Sequence, residues 1–133
     1  TIINFVNKGK NNLDLNCDLE QINRAFFNLI KNALESIIEK REKNKDLQGL
    51  IDIVILKRSD YIDIIITDNG IGFKDINKKE LIKPYYTTKK KGSGLGLAIV
   101  NKIILDHNGS INLSNTKDGA KIDLSFNIIK NGY

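Results

Sequence analysis

Two segments of the chain carry apolar residues at helical spacing. In the first, from Ile22 to Ile37, they recur every three or four residues, which predicts an amphipathic helix over about residues 19–39. Asp18 precedes this segment, with Gln21 three residues further on, and this pattern is typical of a helix N-cap. We expect the polar stretch 40–48 to end the helix in a loop.

The second helical segment follows a long stretch without clean periodicity. Residues 73–93 are rich in lysine and contain the single proline, which predicts a mobile loop. Apolar residues at helical spacing from Leu97 to Ile104 predict a helix that begins at residue 94 or 95. We expect this helix to end at residues 107–109, with Gly109 as its C-terminal cap.

Four apolar runs predict β-strands that pair as hairpins. They cover residues 50–56 and 61–67, joined by 57–60, and residues 110–115 and 120–128, joined by 117–119. Two helices and at least four strands in this order predict an α+β sandwich, a mixed sheet with helices on one face. The length of 133 residues suits one domain over 1–133, with its core at about 16–128.

Composition narrows the classes of function. The net charge of +5 comes almost entirely from scattered lysines, which argues against tuned nucleic-acid recognition. The single cysteine, Cys17, excludes an internal disulfide and a cysteine-based metal cluster, and it fits a reducing compartment. The apolar runs are far shorter than the roughly 20 residues of a membrane span, so we expect a cytoplasmic domain without direct membrane contact. Because methionine is missing even at position 1, we expect a piece of a longer protein.

Asn28 and Asn32 lie four residues apart on one face of the first predicted helix, with Lys31 and Glu35 beside them. Such a face is usually just solvated, but asparagine is a mediocre helix former, so two of them in mid-helix call for a reason. An amide oxygen is a hard ligand suited to Mg²⁺, which needs few protein ligands besides phosphates and water. A solvated face and a magnesium site both stay open.

Two glycine-rich segments are the other candidates for chemistry. Asp68-Asn69-Gly70-Ile71-Gly72 follows an apolar strand, where Asn-Gly alone predicts a tight turn. The carboxylate and the second glycine favour close approach to a ring with an exocyclic amine, such as adenine.

Gly92-Ser93-Gly94-Leu95-Gly96-Leu97 leads into the second predicted helix. Converging backbone N–H groups and the start of a helix favour phosphate oxygens. The segment is neither a Walker loop nor a Rossmann fingerprint, and a flexible hinge is the alternative. The lysine run 89–91 before it is either a solvated loop or a neighbour of bound phosphate.

Taken in order, the motifs NLIKNALES, DNGIGF, PYYTTK and GSGLGLAIV make the chain resemble the ATP-binding domain of bacterial sensor histidine kinases. These kinases belong to the gyrase, Hsp90, kinase and MutL (GHKL) superfamily. The resemblance covers about residues 18–126 and is highly specific; the string from Pro84 to Gly94 looks most like kinases of the nitrogen-regulation sensor type. It implies a two-layer α/β sandwich of the Bergerat type, with a mixed, mainly antiparallel sheet and a flexible ATP lid at about 73–93.

The resemblance also implies a nucleotide site. Asn32 would contribute to binding Mg²⁺, with Asn28 and Lys31 near the phosphates. Asp68, Gly70 and Gly72 would receive adenine. The other nucleotide-binding residues implied by the resemblance are Thr88 and Ser93, together with the residues that would grip the triphosphate, Gly92, Gly94, Leu95, Gly96 and Leu97.

The implied activity is transfer of the γ-phosphate of ATP to a histidine on a separate dimerisation domain, with a response regulator downstream, as in two-component signal transduction. Gyrase-like, Hsp90-like and anti-sigma members carry an acidic residue where this chain has Asn28, and an amide is not a useful proton acceptor, so hydrolysis by that route is disfavoured. We expect the only histidine, His107, to cap or pack rather than accept phosphate.

Two alternatives stay open: a degenerate nucleotide-binding scaffold, and an anti-sigma or topoisomerase-like ATPase. Without its phosphoacceptor domain the piece should bind nucleotide and do little else. The sequence also leaves open whether the full-length protein is anchored in a membrane.

Overall fold

The computed structural model of the chain describes residues 1–7, 18–73 and 96–127. Along the chain these form β1 (Ile2–Asn7), α1 (Leu19–Lys43), β2 (Leu50–Lys57), β3 (Tyr61–Asp68), α2 (Gly96–Asp106), β4 (Gly109–Asn115) and β5 (Ala120–Asn127). Three predictions lie outside the described residues: the lid beyond Phe73, the start of the second helix at residue 94 or 95, and the strand end at Ile128.

The five strands form one mixed sheet in the order β1-β2-β3-β5-β4. The pairs β2–β3, β3–β5 and β4–β5 are antiparallel, which confirms both predicted hairpins. β1 pairs in parallel with β2 at the edge, with Ile2 opposite Leu50. β1 was not predicted, because its residues, Ile-Ile-Asn-Phe-Val-Asn, do not alternate between apolar and polar, and all six are exposed.

The core lies between one face of the sheet and the two helices. Along β3 and β5, buried residues alternate with more exposed ones, so the buried side chains share one face of the sheet. The helices pack on that face, which confirms the predicted two-layer sandwich. The largest fully buried side chains are Leu29, Ile37, Ile51, Ile66, Val100, Ile104, Leu124 and Phe126.

α1 is one turn longer than predicted. It begins after Asp18, whose side chain accepts from the backbone N–H groups of Glu20 and Gln21, as predicted for an N-cap. It ends at Lys43 rather than near residue 39, because the last turn consists of good helix formers with basic side chains that favour a helix C-terminus. In that turn Lys40 Nζ donates to the Asp118 carbonyl oxygen at 2.8 Å, which ties α1 to the turn between β4 and β5.

The end of α2 corrects a prediction. Asn108, and not Gly109, adopts the left-handed conformation, with φ of 57°, which asparagine tolerates better than most residues. Gly109 already pairs with Phe126 as part of β4. A Cβ at Gly109 would lie 2.7 Å from the Ser125 carbonyl oxygen and 2.9 Å from Ile104 Cγ2, so close packing of strand and helix explains this glycine.

His107 joins the C-terminal end of α2 to the N-terminal end of α1. Its Nε2 accepts from the backbone N–H of Asp18 at 3.0 Å. Its Nδ1 lies 2.7 Å from the Ile103 carbonyl oxygen, so the ring carries its proton on Nδ1 and donates it there. The ring therefore caps and packs, the structural role expected from its position.

Candidate functional site

One face of α1 carries Asn28, Asn32 and Ser36, spaced four residues apart. Both asparagines are half-buried, and Ser36 is buried. The amide of Asn32 lies beside the start of α2, since a Cβ added to Gly96 would be 3.6 Å from Asn32 Oδ1. One turn further along, Ser36 Oγ accepts from the backbone N–H of Ile71 at 2.9 Å. This face of α1 therefore brings two of the predicted motifs together.

The turn that follows β3 has a fixed local conformation. Asp68 Oδ1 accepts from the backbone N–H of Gly70 at 2.8 Å, which closes an Asx-type turn. Gly70 is buried against α1, and a Cβ there would lie 2.7 Å from the backbone carbon of Ser36 and 2.8 Å from the nitrogen of Ile37. Gly72 has a positive φ of 74°, which favours glycine. The packing and the backbone conformation of the turn therefore favour glycine at both predicted adenine-site positions, whether or not a ligand binds.

Asn69 fastens this turn to the neighbouring strand β2. Its Oδ1 accepts from the Leu50 backbone N–H at 2.8 Å, and its Nδ2 donates to the Gln48 carbonyl oxygen at 2.9 Å. The side-chain amide therefore continues the hydrogen-bonding pattern of the sheet beyond the end of β3. The Asn-Gly pair does not form the tight turn of a hairpin between two strands.

Asn115, the last residue of β4, holds the other end of the turn. Its Oδ1 accepts from the Phe73 backbone N–H at 2.8 Å, and its Nδ2 donates to the Phe73 carbonyl oxygen at 2.6 Å. Gly119 packs against the back of the same turn: a Cβ there would collide with the Asp68 carbonyl oxygen and lie 2.9 Å from the Gly70 nitrogen. Side chains or backbone from α1, β2, β4 and the β4–β5 turn thus surround residues 68–73.

A hollow of about 240 Å³ lies on the opposite side of this turn. It opens on the face of the sheet that the helices leave uncovered, because Asp52 and Thr67 alternate with the buried Ile51 and Ile66. Three acidic residues line it, Asp52, Asp68 and Asp118, and negative charge there would repel phosphate groups. The helix side of the turn is therefore the better candidate for a site that takes an anion.

Eight of the predicted nucleotide-binding residues fall within the described part of the chain: Asn28, Lys31, Asn32, Asp68, Gly70, Gly72, Gly96 and Leu97. Lys31 is exposed. Leu97 is half-buried and packs against the core. The other five, Thr88, Gly92, Ser93, Gly94 and Leu95, lie outside the described residues.

Sequence reasoning missed three residues that shape the site: Ser36, Asn115 and Gly119. The signal for Ser36 was its spacing, one further turn along the face of Asn28 and Asn32. Gly119 falls in the predicted turn 117–119, and nothing in that local pattern shows that it packs against residues 68–70. Asn115 gave no local signal, because its partner Phe73 lies 42 residues away along the chain.

A five-stranded mixed sheet with helices on one face, and a glycine-containing turn packed against the first helix, place the chain in the class of two-layer α/β domains. Residues 17–129 match the family described as histidine kinase-, DNA gyrase B- and HSP90-like ATPase, and the chain belongs to this family. Within the described part of the chain, no helix is both long and apolar enough to cross a membrane.

The relatives point to sensor kinases. A sensor histidine kinase of the NtrY-like type from Rickettsia conorii is 42% identical over 116 residues, which are 86% of this chain and 18% of that protein. The nitrogen regulation protein NtrY of Azorhizobium caulinodans is 38% identical over 102 residues, 77% of this chain and 13% of that protein. The chain thus spans less than a fifth of the length of these relatives.

A solved structure confirms the fold. The nucleotide-free catalytic domain of histidine kinase ThkA superimposes with a TM-score of 0.78 at 26% identity, covering 94% of this chain and 77% of that one. The resemblance drawn from the four motifs and the predicted sandwich are therefore confirmed, and NtrY-like kinases are among the relatives.

Proposed function

We propose that this domain binds Mg-ATP and donates the γ-phosphate to a histidine on a separate dimerisation domain of a two-component sensor histidine kinase, which in turn serves a response regulator. The observation that carries the proposal is the position of Asn32, between Gly96 in the N-terminal part of α2 and the turn held by Ser36. One face of α1 thus carries an amide oxygen of the kind that binds Mg²⁺. The same face lies next to the N-terminal part of α2 and to the turn that contains Asp68. Family membership supports ATP as the ligand, and the similarity to sensor kinases supports histidine as the acceptor.

Adenine would bind at the turn 68–73. The carboxylate of Asp68 has two oxygens with about four acceptor sites, so it can accept from the Gly70 N–H and from an exocyclic amine together. Gly70 and Gly72 leave room for a flat ring near the backbone. Because Ser36 and the sheet already fix the turn, binding needs little reorganisation there.

The phosphates would lie between α1 and the start of α2. The described part of α2 begins at Gly96, and backbone N–H groups near the N-terminal end of a helix favour phosphate oxygens through the helix dipole. Asn28 and the exposed Lys31 lie on the same side of α1, and we propose that they contact the phosphates. Asn32 fits Mg²⁺ because its amide supplies a hard oxygen beside Gly96. When bound, the ion neutralises charge on the phosphate oxygens.

The described site lacks a proton acceptor at position 28. Asn28 is an amide and does not act as a general base. The base must therefore come from elsewhere, and the domain with the phosphoacceptor histidine is the place we propose for it. Catalysis by this chain then consists of positioning and electrostatic stabilisation, and the isolated domain should hydrolyse ATP very slowly.

Titration calorimetry with a non-hydrolysable ATP analogue, with and without Mg²⁺, tests the binding step. The wild-type domain should bind more tightly with Mg²⁺. Asp68→Asn should weaken binding under both conditions, whereas Asn32→Ala should remove mainly the gain from Mg²⁺. Asn112→Ala, on an exposed position of β4, is the matched control and should bind like wild type. No binding by the wild type, or binding indifferent to Asp68 and Asn32, would overturn the proposal.

Phosphotransfer is tested by supplying the upstream helices of the full-length protein with radiolabelled ATP. We expect acid-labile, alkali-stable phosphate, as for phosphohistidine. Nucleotide binding without phosphotransfer would favour the scaffold alternative, and rapid hydrolysis by the isolated domain would favour a topoisomerase-like ATPase.

A further inference from the structure

The amide of Asn115 satisfies both backbone hydrogen-bonding groups of Phe73, at 2.8 Å and 2.6 Å. A neighbouring strand would pair with a residue in this way, and here one side chain replaces it. Asn115 itself is well anchored, because it pairs with the buried Ala120 in the sheet. The Thr116 N–H next to it donates to the Gly119 carbonyl oxygen at 2.8 Å, so the corner that carries the amide is closed.

The same amide determines the space around Gly72. A Cβ on Gly72 would lie 3.0 Å from Asn115 Oδ1 and 3.4 Å from the Gly119 carbonyl oxygen. Gly72 has a left-handed φ and connects the turn to Phe73, whose backbone is bound by Asn115. The end of the turn is therefore located by a contact from β4, whereas its beginning is located by Asp68 and Asn69.

We propose that Asn115 is a positioning residue of the nucleotide site, which holds Gly72 and Phe73 so that the turn 68–73 stays in its adenine-binding conformation. This inference rests on the proposed function. Both polar groups of the amide are engaged by Phe73, so Asn115 acts through the backbone and not by touching the base. Without the Asn115 amide, the turn would adopt its adenine-binding conformation for only a fraction of the time. The apparent Kd then equals the intrinsic Kd divided by that fraction.

The test measures nucleotide affinity by calorimetry for ADP without Mg²⁺ and for an ATP analogue with Mg²⁺. For Asn115→Ala we expect Kd to rise about tenfold for both ligands, as when the competent fraction falls to about a tenth. The equal effect follows because the turn faces the base that the two ligands share. Asn115→Gln, which keeps the amide on a longer stem, should restore part of the affinity, whereas Asn115→Asp, which lacks the donor, should not.

Asn112→Ala is the matched control, since it removes the same residue type from an exposed position of the same strand. Hydrogen exchange at the Gly72 and Phe73 amides without nucleotide gives a second readout, and we expect it to accelerate in Asn115→Ala while exchange in the β3–β5 ladder stays slow.

Three outcomes would overturn the inference. One is wild-type affinity in Asn115→Ala; another is a loss of affinity that merely follows the unfolded fraction from a thermal melt of the same sample. The third is a loss confined to the Mg²⁺ complex. A wild-type domain that binds no nucleotide would instead contradict the proposed function, and the exchange measurement would still decide whether Asn115 holds the turn.

Discussion

Gly70 lies just after β3 and Gly96 is the first described residue of α2, yet the protein surrounds them differently. A Cβ on Gly70 would collide with Ser36 Oγ and would come within 2.8 Å of the Ile37 backbone nitrogen. A Cβ on Gly96 would meet only the Asn32 amide among the described residues, at 3.6 Å and 3.7 Å, which is ordinary van der Waals contact. Packing therefore demands glycine at position 70, and nothing in the described packing demands it at position 96.

The difference separates two halves of the candidate site. The base half, residues 68–73, is held by Ser36, Asn69 and Asn115, so the folded protein forms it without a ligand. At Gly96 the missing side chain leaves space between α1 and α2 beside the amide that we propose for Mg²⁺. On the proposed function, glycine there would allow phosphate to approach the backbone N–H groups closely. Mutations in the two halves should thus separate stability from binding.

Gly70→Ala should produce the largest loss of stability. The new methyl group meets backbone atoms of α1 that cannot rotate away, and such overpacking costs typically about 1–3 kcal/mol. Urea unfolding followed by far-UV circular dichroism measures the loss. Gly96→Ala is the control for the intrinsic effect of replacing glycine by alanine. Equal stability of the two variants would show that the turn is not packed against α1 as described.

Ser36→Ala should have the next largest effect. It leaves the partly buried Ile71 N–H without its acceptor, and an unsatisfied buried donor costs about 1–3 kcal/mol, so the loss should lie in the lower part of this range. The lost hydrogen bond also loosens the middle of the base half, so ADP should bind more weakly without Mg²⁺. Urea unfolding and calorimetry report the two effects.

Ser110→Ala, at an exposed position of β4, is the matched control for Ser36→Ala and should change neither quantity. A Ser36→Ala variant with lowered stability but wild-type ADP affinity would argue that the turn is fixed without help from α1.

His107→Phe should lower the stability less than the two preceding variants. An aromatic ring still fills the position, and only the two hydrogen bonds of the imidazole are lost. The partners are the Asp18 N–H and the Ile103 carbonyl oxygen, and a typical hydrogen bond contributes about 0.5–1.5 kcal/mol. His107→Ala should be worse than His107→Phe, since it removes packing as well. Thermal unfolding compares them. Nucleotide affinity should be unchanged in His107→Phe, and a loss there would assign His107 a role at the site.

The sequence predicted the sandwich because its signals are local. Alternation along β3 and β5 and helical spacing along α1 each report which side of an element is buried. β1 could not be predicted in this way, because an exposed edge strand has no buried side that would make apolar and polar residues alternate. Gly109 was misassigned as a cap, because glycine at a helix end and glycine at a close contact look alike until Asn108 is seen in the left-handed conformation.

The site was predictable to the extent that its residues form motifs. Asn32, Asp68, Gly70 and Gly96 occur in short strings whose chemistry can be inferred residue by residue. Ser36, Asn115 and Gly119 act on those strings from distant parts of the chain. Asn115 looked like any other asparagine in an asparagine-rich sequence, because its meaning depends on pairing with Phe73 across the fold.

Gly96→Ala should have the smallest effect on stability and still abolish much of the function. Alanine is favoured over glycine in helices by up to about 1 kcal/mol, so the free energy of unfolding should stay unchanged or rise slightly. The methyl group occupies the space beside Asn32 through which phosphate would approach the first N–H groups of α2. We therefore expect affinity for the Mg-ATP analogue to fall at least about tenfold, a difference of about 1.4 kcal/mol.

Adenosine, which lacks phosphates, should bind Gly96→Ala and wild type equally. This comparison assigns the loss of affinity to the part of the site around Gly96 and Asn32, where the phosphates would bind. Gly70→Ala should behave in the opposite way, with low stability and weakened binding of adenosine and Mg-ATP alike. If Gly96→Ala instead unfolds easily, or loses adenosine as well, the two halves are not separate and the space beside Asn32 has a structural purpose.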